Sequence, residues 1–189
     1  KKMLQAAAGN AGGAGLDITD VFSTYLYDGT GAAQTITNGI DLDGEGGLTW
    51  IKGRNSTFTH NLHDTERGLD LRLDTATTGA EINDPGELTA FNSDGFTVGT
   101  GTKANPNGGD MVSWTFRKAP KFFDVVTYTG DGVNGRTVSH NLGSVPAMMI
   151  VKGTSSATNW YVYHTDTGNG FDLFLNSTIA KNPANTWYY

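Results

Sequence analysis

Three carboxylates surround a glycine in the stretch Asp41–Glu45, where residue types and spacing favour metal chemistry. Asp41, Asp43 and Glu45 offer hard oxygen ligands from a tight turn, and calcium requires ligands of this kind. The spacing departs from the calcium-binding loop of about twelve residues, and residues 141–144, about a hundred positions later, contain no acid. Two interpretations remain open: a calcium site at these three residues, or an acidic turn without metal. No other cofactor is expected.

The histidines do not form a recognisable catalytic set. His60 and His63 are three residues apart, and on a strand that spacing directs side chains to opposite faces, which disfavours a two-histidine metal site. His140 and His164 stand elsewhere in the chain, and no Gly-x-Ser-x-Gly nucleophile elbow is present. Paired acids would suit a glycan depolymerase, which needs two carboxyls across a cleft. We predict that the protein is not an enzyme and keep the depolymerase as an alternative.

Aromatic residues near the end of the chain are the main candidates for ligand binding. They alternate or stack with polar neighbours, so some of their rings are expected to face outward; they are Trp160, Tyr161, Tyr163, Trp187 and Tyr188. Exposed rings beside amides and carboxylates suit sugar binding, and they suit a protein interface equally well. The aromatic residues in more apolar strands are assigned to the core, among them Tyr27, Trp50, Trp114 and Tyr128.

The elements that must position these residues are short strands. Turn signals such as Asp28-Gly29 and Asn38-Gly39 separate them, and Leu69–Leu73 alternates apolar and charged residues with the period of a strand. The predicted strands are Val21–Tyr27, Gln34–Thr37, Leu48–Lys52, Phe58–His63, Leu69–Leu73, Gly95–Val98, Val112–Arg117, Phe122–Tyr128, Arg136–Ser139, Ala147–Lys152, Trp160–His164 and Phe171–Leu175. We expect an all-β fold of antiparallel, jelly-roll-like β-sandwich units.

The chain repeats itself after about a hundred residues. Matches in conserved order include Tyr27 with Tyr128, Lys52 with Lys152, Gly68 with Gly168 and Asp70 with Asp172. We therefore predict an N-terminal arm and tether at 1–17, a first copy at 18–118 and a second copy at 119–189. The second copy has no sequence to match Phe91–Arg117, so its sheet is expected to be incomplete and to be covered by oligomerisation or by further chain.

Charge and composition exclude several classes of partner. The chain of 189 residues carries a net charge of −6 with 13 lysines and arginines, which disfavours nucleic acid because phosphate binding relies on those cations. No apolar run is long enough to span a bilayer, so no membrane insertion is expected. With 26 glycines and no cysteine, tight turns are plentiful, and disulfides and thiol chemistry are absent.

The first eight residues are the only run of good helix formers, and Gly9 and Asn10 end it. So short a helix is not stable alone, and a glycine-rich tether follows it. Two interpretations are open, a frayed terminus or an arm that docks on another protein; Lys2, Met3 and Leu4 are the candidate anchoring residues.

The chain resembles a family of virion proteins from marine tailed bacteriophages, labelled tail-fibre or structural proteins, with tandem sandwiches similar to concanavalin and laminin-G domains. The resemblance runs over nearly the whole chain. The segments that carry it are Lys2–Asn10, Asp20–Tyr27, Thr37–Leu42, Trp50–Lys52, Asp64–Gly68, Phe91–Phe96, Ser113–Phe116 and His140–Pro146.

The resemblance implies a non-enzymatic virion protein whose arm anchors it to the particle. We expect a tail-fibre-like protein that docks on a tail or baseplate component and presents its β-domains to the host surface, with a glycan as ligand. By analogy with phage fibres, we expect the protein to form a homo-oligomer, and specifically a trimer. A capsid decoration or head-fibre protein is the structural alternative, and the glycan depolymerase is the enzymatic one.

Overall fold

In the computed structural model of the protein, residues 15–133 and 135–183 are described. They form an all-β protein in which antiparallel sheets pack as a sandwich, and their helical content is one 3-10 turn at Ile18–Asp20. None of the helical structure in these ranges is long and apolar enough to cross a membrane. The predicted helix at the start of the chain lies outside the described residues.

The strands of the described ranges are numbered in chain order. They are β1 (Phe22–Asp28), β2 (Gln34–Thr37), β3 (Gly47–Gly53), β4 (Asn61–Asp64), β5 (Leu71–Asp74), β6 (Ile82–Asn83), β7 (Leu88–Asn92), β8 (Gly95–Val98), β9 (Asp110–Arg117), β10 (Met148–Lys152), β11 (Trp160–His164), β12 (Phe171–Phe174) and β13 (Asn182–Pro183). They pair in a six-stranded sheet of order β1-β9-β3-β4-β5-β6, a three-stranded sheet β2-β8-β7 and a four-stranded sheet β10-β11-β12-β13.

The six-stranded and three-stranded sheets enclose the main core of the first copy. Alternate residues of each strand point inward, so both sheets contribute apolar side chains. The buried members are Tyr27, Ile36, Ile40, Leu42, Ile51, Leu88, Phe96, Val98, Ala104 and Met111. Tyr27 carries a hydroxyl into this core, and it donates a hydrogen bond to the carbonyl oxygen of Ala104 at 2.7 Å. The core therefore holds the six-stranded sheet against the three-stranded sheet.

The four-stranded sheet of the second copy repeats β3 to β6 with a constant offset of 100 residues. Leu62 faces Leu73 across β4 and β5, and Val162 faces Leu173 across β11 and β12. The turns between these strands also recur, with Gly68 and Gly168 both at positive φ, a conformation that glycine adopts without strain. Similar local sequence thus produces the same strand order twice.

One part of the predicted alignment is wrong. The sequence match pairs Asp70 with Asp172, whereas in the sheets Asp172 occupies the position of Arg72. Arg72 faces Ile82, and Asp172 faces Asn182, each 100 residues further on. The recurrence of an Asp-Leu-x-Leu pattern, at Asp70–Leu73 and at Asp172–Leu175, shifted the sequence match by two residues, and the pairing register of the strands corrects it.

Two predicted strands of the second copy are absent. Residues 122–128 and 136–139 form no strand, although they resemble β1 and β2 in sequence. In the first copy β1 pairs only with β9, and β2 pairs only with β8. The described residues of the second copy contain no equivalent of β9 or β8, so these segments have no strand to pair with, and the bridge between Ala119 and Phe123 stays isolated. Tyr128, assigned to the core from the sequence, is consequently 51% exposed.

Other differences concern strand limits and the side chains of β5. The structure starts β4 and β5 later than predicted, and it adds β6, β7 and β13. The alternation in Leu69–Leu73 predicts that the charged residues form a solvent-exposed face of the strand. Arg72 and Asp74, which belong to that face, are instead buried. Arg72 donates to Asp84 at 3.0 Å, so an ion pair takes the place of water.

Polar side chains also cross the core face of the six-stranded sheet. Thr49 of β3 is paired with His63 of β4 on one side and with Thr115 of β9 on the other, and all three residues are fully buried. Neither ring nitrogen of His63 makes a hydrogen bond of normal geometry. Burial lowers the pKa of His63 to about 4, and the nearby Arg67 guanidinium acts in the same direction. The ring is therefore neutral in the folded protein.

Stability should fall with acidification because of His63. The unfolded chain protonates this ring near pH 6.5 and the folded protein only near pH 4. The contribution of the neutral ring to the free energy of unfolding is thus fully present above about pH 6.5. It is lost as the pH falls to 4, and the total loss is about 3 kcal/mol. Urea unfolding at pH 7 and pH 4.5 should show a smaller loss for His63→Leu than for the natural protein. Equal losses in the two proteins would contradict this assignment.

Candidate functional site

The second copy packs against the outer face of the six-stranded sheet through Trp160. Its ring is 4% exposed and lies among Leu62 and Leu73 of the first copy. The indole Nε1 donates to the backbone carbonyl oxygen of Asp74 at 3.0 Å. The prediction that Trp160 is an exposed binding residue is therefore wrong, because burial of its ring joins the two copies.

Backbone hydrogen bonds join two loops across the same boundary. The Thr158 N–H donates to the carbonyl oxygen of Thr78 at 2.9 Å, and the Glu81 N–H donates to the carbonyl oxygen of Thr154 at 2.8 Å. The 153–158 loop is held by Lys152, whose ammonium donates to the Gly153 carbonyl at 2.7 Å. Lys52 holds the equivalent loop of the first copy in the same way. These bonds set how the copies meet.

A cleft of about 580 Å³ opens beside this boundary, within the range of about 300–1,000 Å³ found for small-molecule sites. Both copies contribute to it. The lining residues are Trp50, His60, Thr75 and Ala76 from the first copy and Leu175, Asn176, Ser177 and Thr178 from the second. It combines an aromatic wall with hydroxyl and amide groups.

The aromatic wall is built by β3 and the residue that precedes β4. Trp50 lies on the outer face of β3 and donates from Nε1 to Nδ1 of His60 at 2.9 Å. Because Nδ1 accepts this bond, the proton of a neutral His60 is on Nε2, which is a donor. Burial lowers the pKa of His60, and the Lys52 ammonium lowers it further. His60 therefore remains neutral at pH 7. Trp114 packs edge-on against Trp50 at 6.0 Å and fixes its plane.

The opposite wall follows β12 in the second copy. Asn176 Oδ1 accepts from the Trp160 backbone N–H at 2.9 Å, and Asn176 Nδ2 donates to Asn159 at 3.0 Å. These two bonds fix the amide plane. Ser177 lies next in the wall, and its Oγ accepts from the Ile179 N–H at 3.2 Å. The wall thus presents an oriented amide and a hydroxyl, both able to form further hydrogen bonds.

This arrangement suits a polyhydroxylated ligand. A tryptophan ring offers an apolar surface for the C–H groups of a sugar ring, and side-chain amides, hydroxyls and neutral histidine bond its hydroxyl groups. The lining residues described above include no carboxylate. The cleft therefore has groups for binding, and the paired acids used in glycoside hydrolysis are not among them.

The remaining predicted binding residues lie away from this cleft or outside the described ranges. Tyr161 and Tyr163 are half-buried on β11, on the face opposite to that of Trp160, as strand alternation requires. The ring of Tyr161 packs edge-on against Phe174 at 5.3 Å. The predicted binding residues Trp187 and Tyr188 lie outside the described residues.

The same holds for the predicted anchoring residues Lys2, Met3 and Leu4, which fall in 1–14.

The acidic stretch forms a turn. Asp41 Oδ1 accepts a hydrogen bond from the Gly44 N–H at 2.8 Å, and Glu45 lies 3.7 Å from Arg117. Within the described ranges, no three histidine, aspartate or glutamate residues are grouped to hold a metal ion. Asp41, Asp43 and Glu45 are thus not brought together as a calcium cage in this structure.

The principal residues of the cleft, Trp50, His60 and Asn176, were not predicted as a site. Trp50 was expected in the core, and His60 was considered only as a metal ligand. One signal was available in the sequence: His60 and Trp160 are 100 residues apart, so the repeat places aromatic rings at equivalent positions. The repeat thus indicates that the rings of His60 and Trp160 lie on equivalent faces of their sheets, but it does not show that the two sheets contact each other.

Fold and cleft together define an all-β sandwich protein with a tandem arrangement and a cleft between its two copies. A family model matches the chain twice, at residues 17–122 and 119–189, and the chain belongs to that family, described as Domain of unknown function (DUF7483). No curated protein and no solved structure matches the chain.

Proposed function

We propose that the protein is a non-enzymatic, tail-fibre-like virion protein that binds a host-surface glycan in the cleft between its two copies. The virion assignment rests on the resemblance of the sequence to phage structural proteins. The glycan assignment rests on the cleft, which lies apart from the predicted binding residues Tyr161 and Tyr163. Docking on the particle through Lys2, Met3 and Leu4, and a homo-oligomeric and trimeric state, belong to the same proposal.

The observation that carries the glycan proposal is the pairing of Trp50 with His60 opposite Asn176. The ring pair offers an apolar surface with one fixed N–H donor at His60 Nε2. The facing amide is oriented by its bonds to Trp160 and Asn159. A sugar has both kinds of surface on one ring, so it can use both walls. Weak binding at one cleft would be strengthened by several copies on one particle.

Binding is favoured over depolymerisation by the chemistry of the lining. Hydrolysis of a glycosidic bond requires two carboxyl groups on either side of the scissile bond. The lining supplies tryptophan, a neutral histidine, hydroxyls and an amide. Incubation with host polysaccharide should leave its chain length unchanged, and a fall in chain length would favour the depolymerase.

A bulky side chain in the cleft should abolish glycan binding. Ala76 is exposed and lines the cleft, so Ala76→Trp fills the space without disturbing the core. We expect at least about a tenfold loss of affinity, since a displaced ring loses contacts worth more than about 1.4 kcal/mol. A glycan array identifies the ligand of the natural protein, and titration calorimetry then compares the variants.

The matched control is Ala33→Trp, which adds the same side chain at an exposed loop residue outside the cleft. It should bind like the natural protein. Trp50→Phe provides a second variant, because it keeps a ring but removes the N–H that orients His60; its affinity should fall by less than that of Ala76→Trp. Full affinity in Ala76→Trp, or no glycan ligand at all, would refute the cleft proposal.

The position on the particle is tested by cryo-EM reconstruction of the intact virion. The fibre proposal expects the N-terminal residues in a tail or baseplate component and the second copy pointing outward. Localisation at symmetric positions across the head would instead identify a capsid decoration, and the glycan argument for the cleft would then lose its biological context.

A further inference from the structure

The cleft between the two copies presents dipoles to a ligand rather than charges. The described residues that line it are aromatic, apolar, hydroxyl-bearing or amide-bearing, and His60 is the one ionisable group among them. His60 Nδ1 accepts the N–H of Trp50 at 2.9 Å. Protonation of Nδ1 would set two N–H donors against each other, so this bond holds the imidazole in its neutral form.

The cation beside the cleft, Lys52, is committed to its own loop. Burial lowers the pKa of His60, and Lys52 lowers it further, so the charge of Lys52 reaches the cleft. A lysine ammonium has three N–H donors. Those of Lys52 are directed at the carbonyl oxygens of Gly53 at 2.8 Å, Ser56 at 3.1 Å and Phe58 at 2.7 Å. Lys52 therefore cannot pair with an anionic ligand without giving up the bonds that hold the loop.

The carboxylate of Asp74 lies on the same side of the molecule. Its charge reaches His60 as well, where it opposes burial and Lys52 by raising the pKa. One oxygen, Oδ1, accepts the N–H of Ala76, a residue of the cleft lining, at 2.9 Å. A negative charge so placed repels an anion in the cleft. The net charge of −6 on the whole chain acts in the same direction at longer range.

We propose that the cleft selects neutral sugars and excludes acidic sugars, which carry a carboxylate, sulfate or phosphate group. The inference rests on the proposed function, because it takes a glycan as the ligand and names its class. A sugar hydroxyl both donates and accepts, so it can bond to His60 Nε2–H, to the Asn176 amide and to the hydroxyls of the lining. An anionic group loses hydration on entering a cleft and requires a cation in return. The cation at hand, Lys52, is already bound.

Matched glycans that differ in one charge test the proposal on the full-length chain. An array carries neutral oligosaccharides, each beside its C6-oxidised form, in which a carboxylate replaces the hydroxymethyl group, and beside the methyl ester of that form. The neutral sugar and the ester should bind, and the acid should bind at least about tenfold more weakly in titration calorimetry. Because the ester and the acid both lack the C6 hydroxyl, their difference measures the effect of charge alone.

A cation added to the cleft should relax the selection. Thr178 is exposed and lines the cleft, so Thr178→Lys places an ammonium there. Its affinity for the C6-oxidised sugar should rise about two- to fivefold, as for a solvent-exposed ion pair, while its affinity for the neutral sugar should stay the same. The matched control is Thr102→Lys, at an exposed residue outside the cleft. It changes the net charge equally and should leave both affinities unchanged.

Three results would overturn the inference, and they separate it from the proposed function. If the acid binds as tightly as the neutral sugar and Ala76→Trp abolishes both, the cleft is a glycan site without this selection. If Thr178→Lys and Thr102→Lys increase binding of the acid equally, the net charge of the chain excludes acidic sugars and the cleft does not. If none of the oligosaccharides binds, the glycan proposal fails and the inference fails with it.

Discussion

Trp160→Ala should destabilise the protein by about 3–5 kcal/mol, the range for removing a large buried aromatic side chain. The ring of Trp160 is buried between the copies, beside Leu62 and Leu73 of the first copy and Leu175 of its own. Removing it leaves a cavity at the boundary and leaves the Asp74 carbonyl without the indole donor. Urea unfolding followed by circular dichroism measures the loss as a lower midpoint.

The control Trp160→Phe separates the two contributions. It retains much of the ring volume but removes the N–H, so it should cost about 1–3 kcal/mol, as for a buried acceptor left without a partner. Limited proteolysis gives a second measurement, because a loosened boundary should expose the second copy to cleavage first. If Trp160→Ala unfolds at the same urea concentration as the natural protein, this ring does not hold the copies together.

The strands of the first copy were largely predictable because alternation and glycine-containing turns are local signals. Gln34–Thr37 and Gly95–Val98 were predicted with their observed limits. The failures have one physical cause: a strand requires a partner. Residues 122–128 carry the local pattern of β1 but form no strand, since the β9 equivalent that would pair with them is not among the described residues. Sequence pattern indicates what a segment can form, and its partners decide whether it does.

The candidate site was not predictable for a related reason. Trp160 alternates with polar neighbours, which predicts an outward-facing ring. Within its own sheet the ring lies on the face opposite to that of Tyr161 and Tyr163. It is buried nonetheless, because the first copy lies against it. The cleft likewise depends on how the copies meet: Trp50 and Asn176 are far apart in sequence and line one space only after docking. No periodicity encodes that relative placement.

The ion pairs of the first copy were also missed: Arg67 and Asp64 are only three residues apart, whereas Arg67 and Glu81 join separate segments. Arg67 follows β4 in a turn, and its guanidinium contacts Asp64 at 2.7 Å and Glu81 at 2.9 Å. It also donates to the Leu62 carbonyl at 3.2 Å. The equivalent position in the second copy is Thr167. The repeat therefore conserves the turn but not the charge, and the network belongs to the first copy alone.

Arg67→Met should destabilise the protein by about 3–5 kcal/mol, as for removal of one partner of a buried ion pair. Methionine fills a similar volume but leaves the carboxylate of Asp64, which is buried, without its cation. Chemical unfolding at pH 7 measures the change. The control is Arg136→Met, which removes an arginine whose partner Asp131 is exposed at 3.4 Å; it should cost about 0–1 kcal/mol.

A second substitution distinguishes an unpaired charge from lost packing. Asp64 accepts hydrogen bonds from the backbone N–H groups of Glu66 at 3.1 Å and of Arg67 at 2.9 Å. Asparagine at position 64 can keep both bonds through its amide oxygen while carrying no charge. Asp64→Asn combined with Arg67→Met should therefore be more stable than Arg67→Met alone. If the double variant is no more stable, the loss comes from packing and from the Leu62 contact, and the buried carboxylate is not its cause.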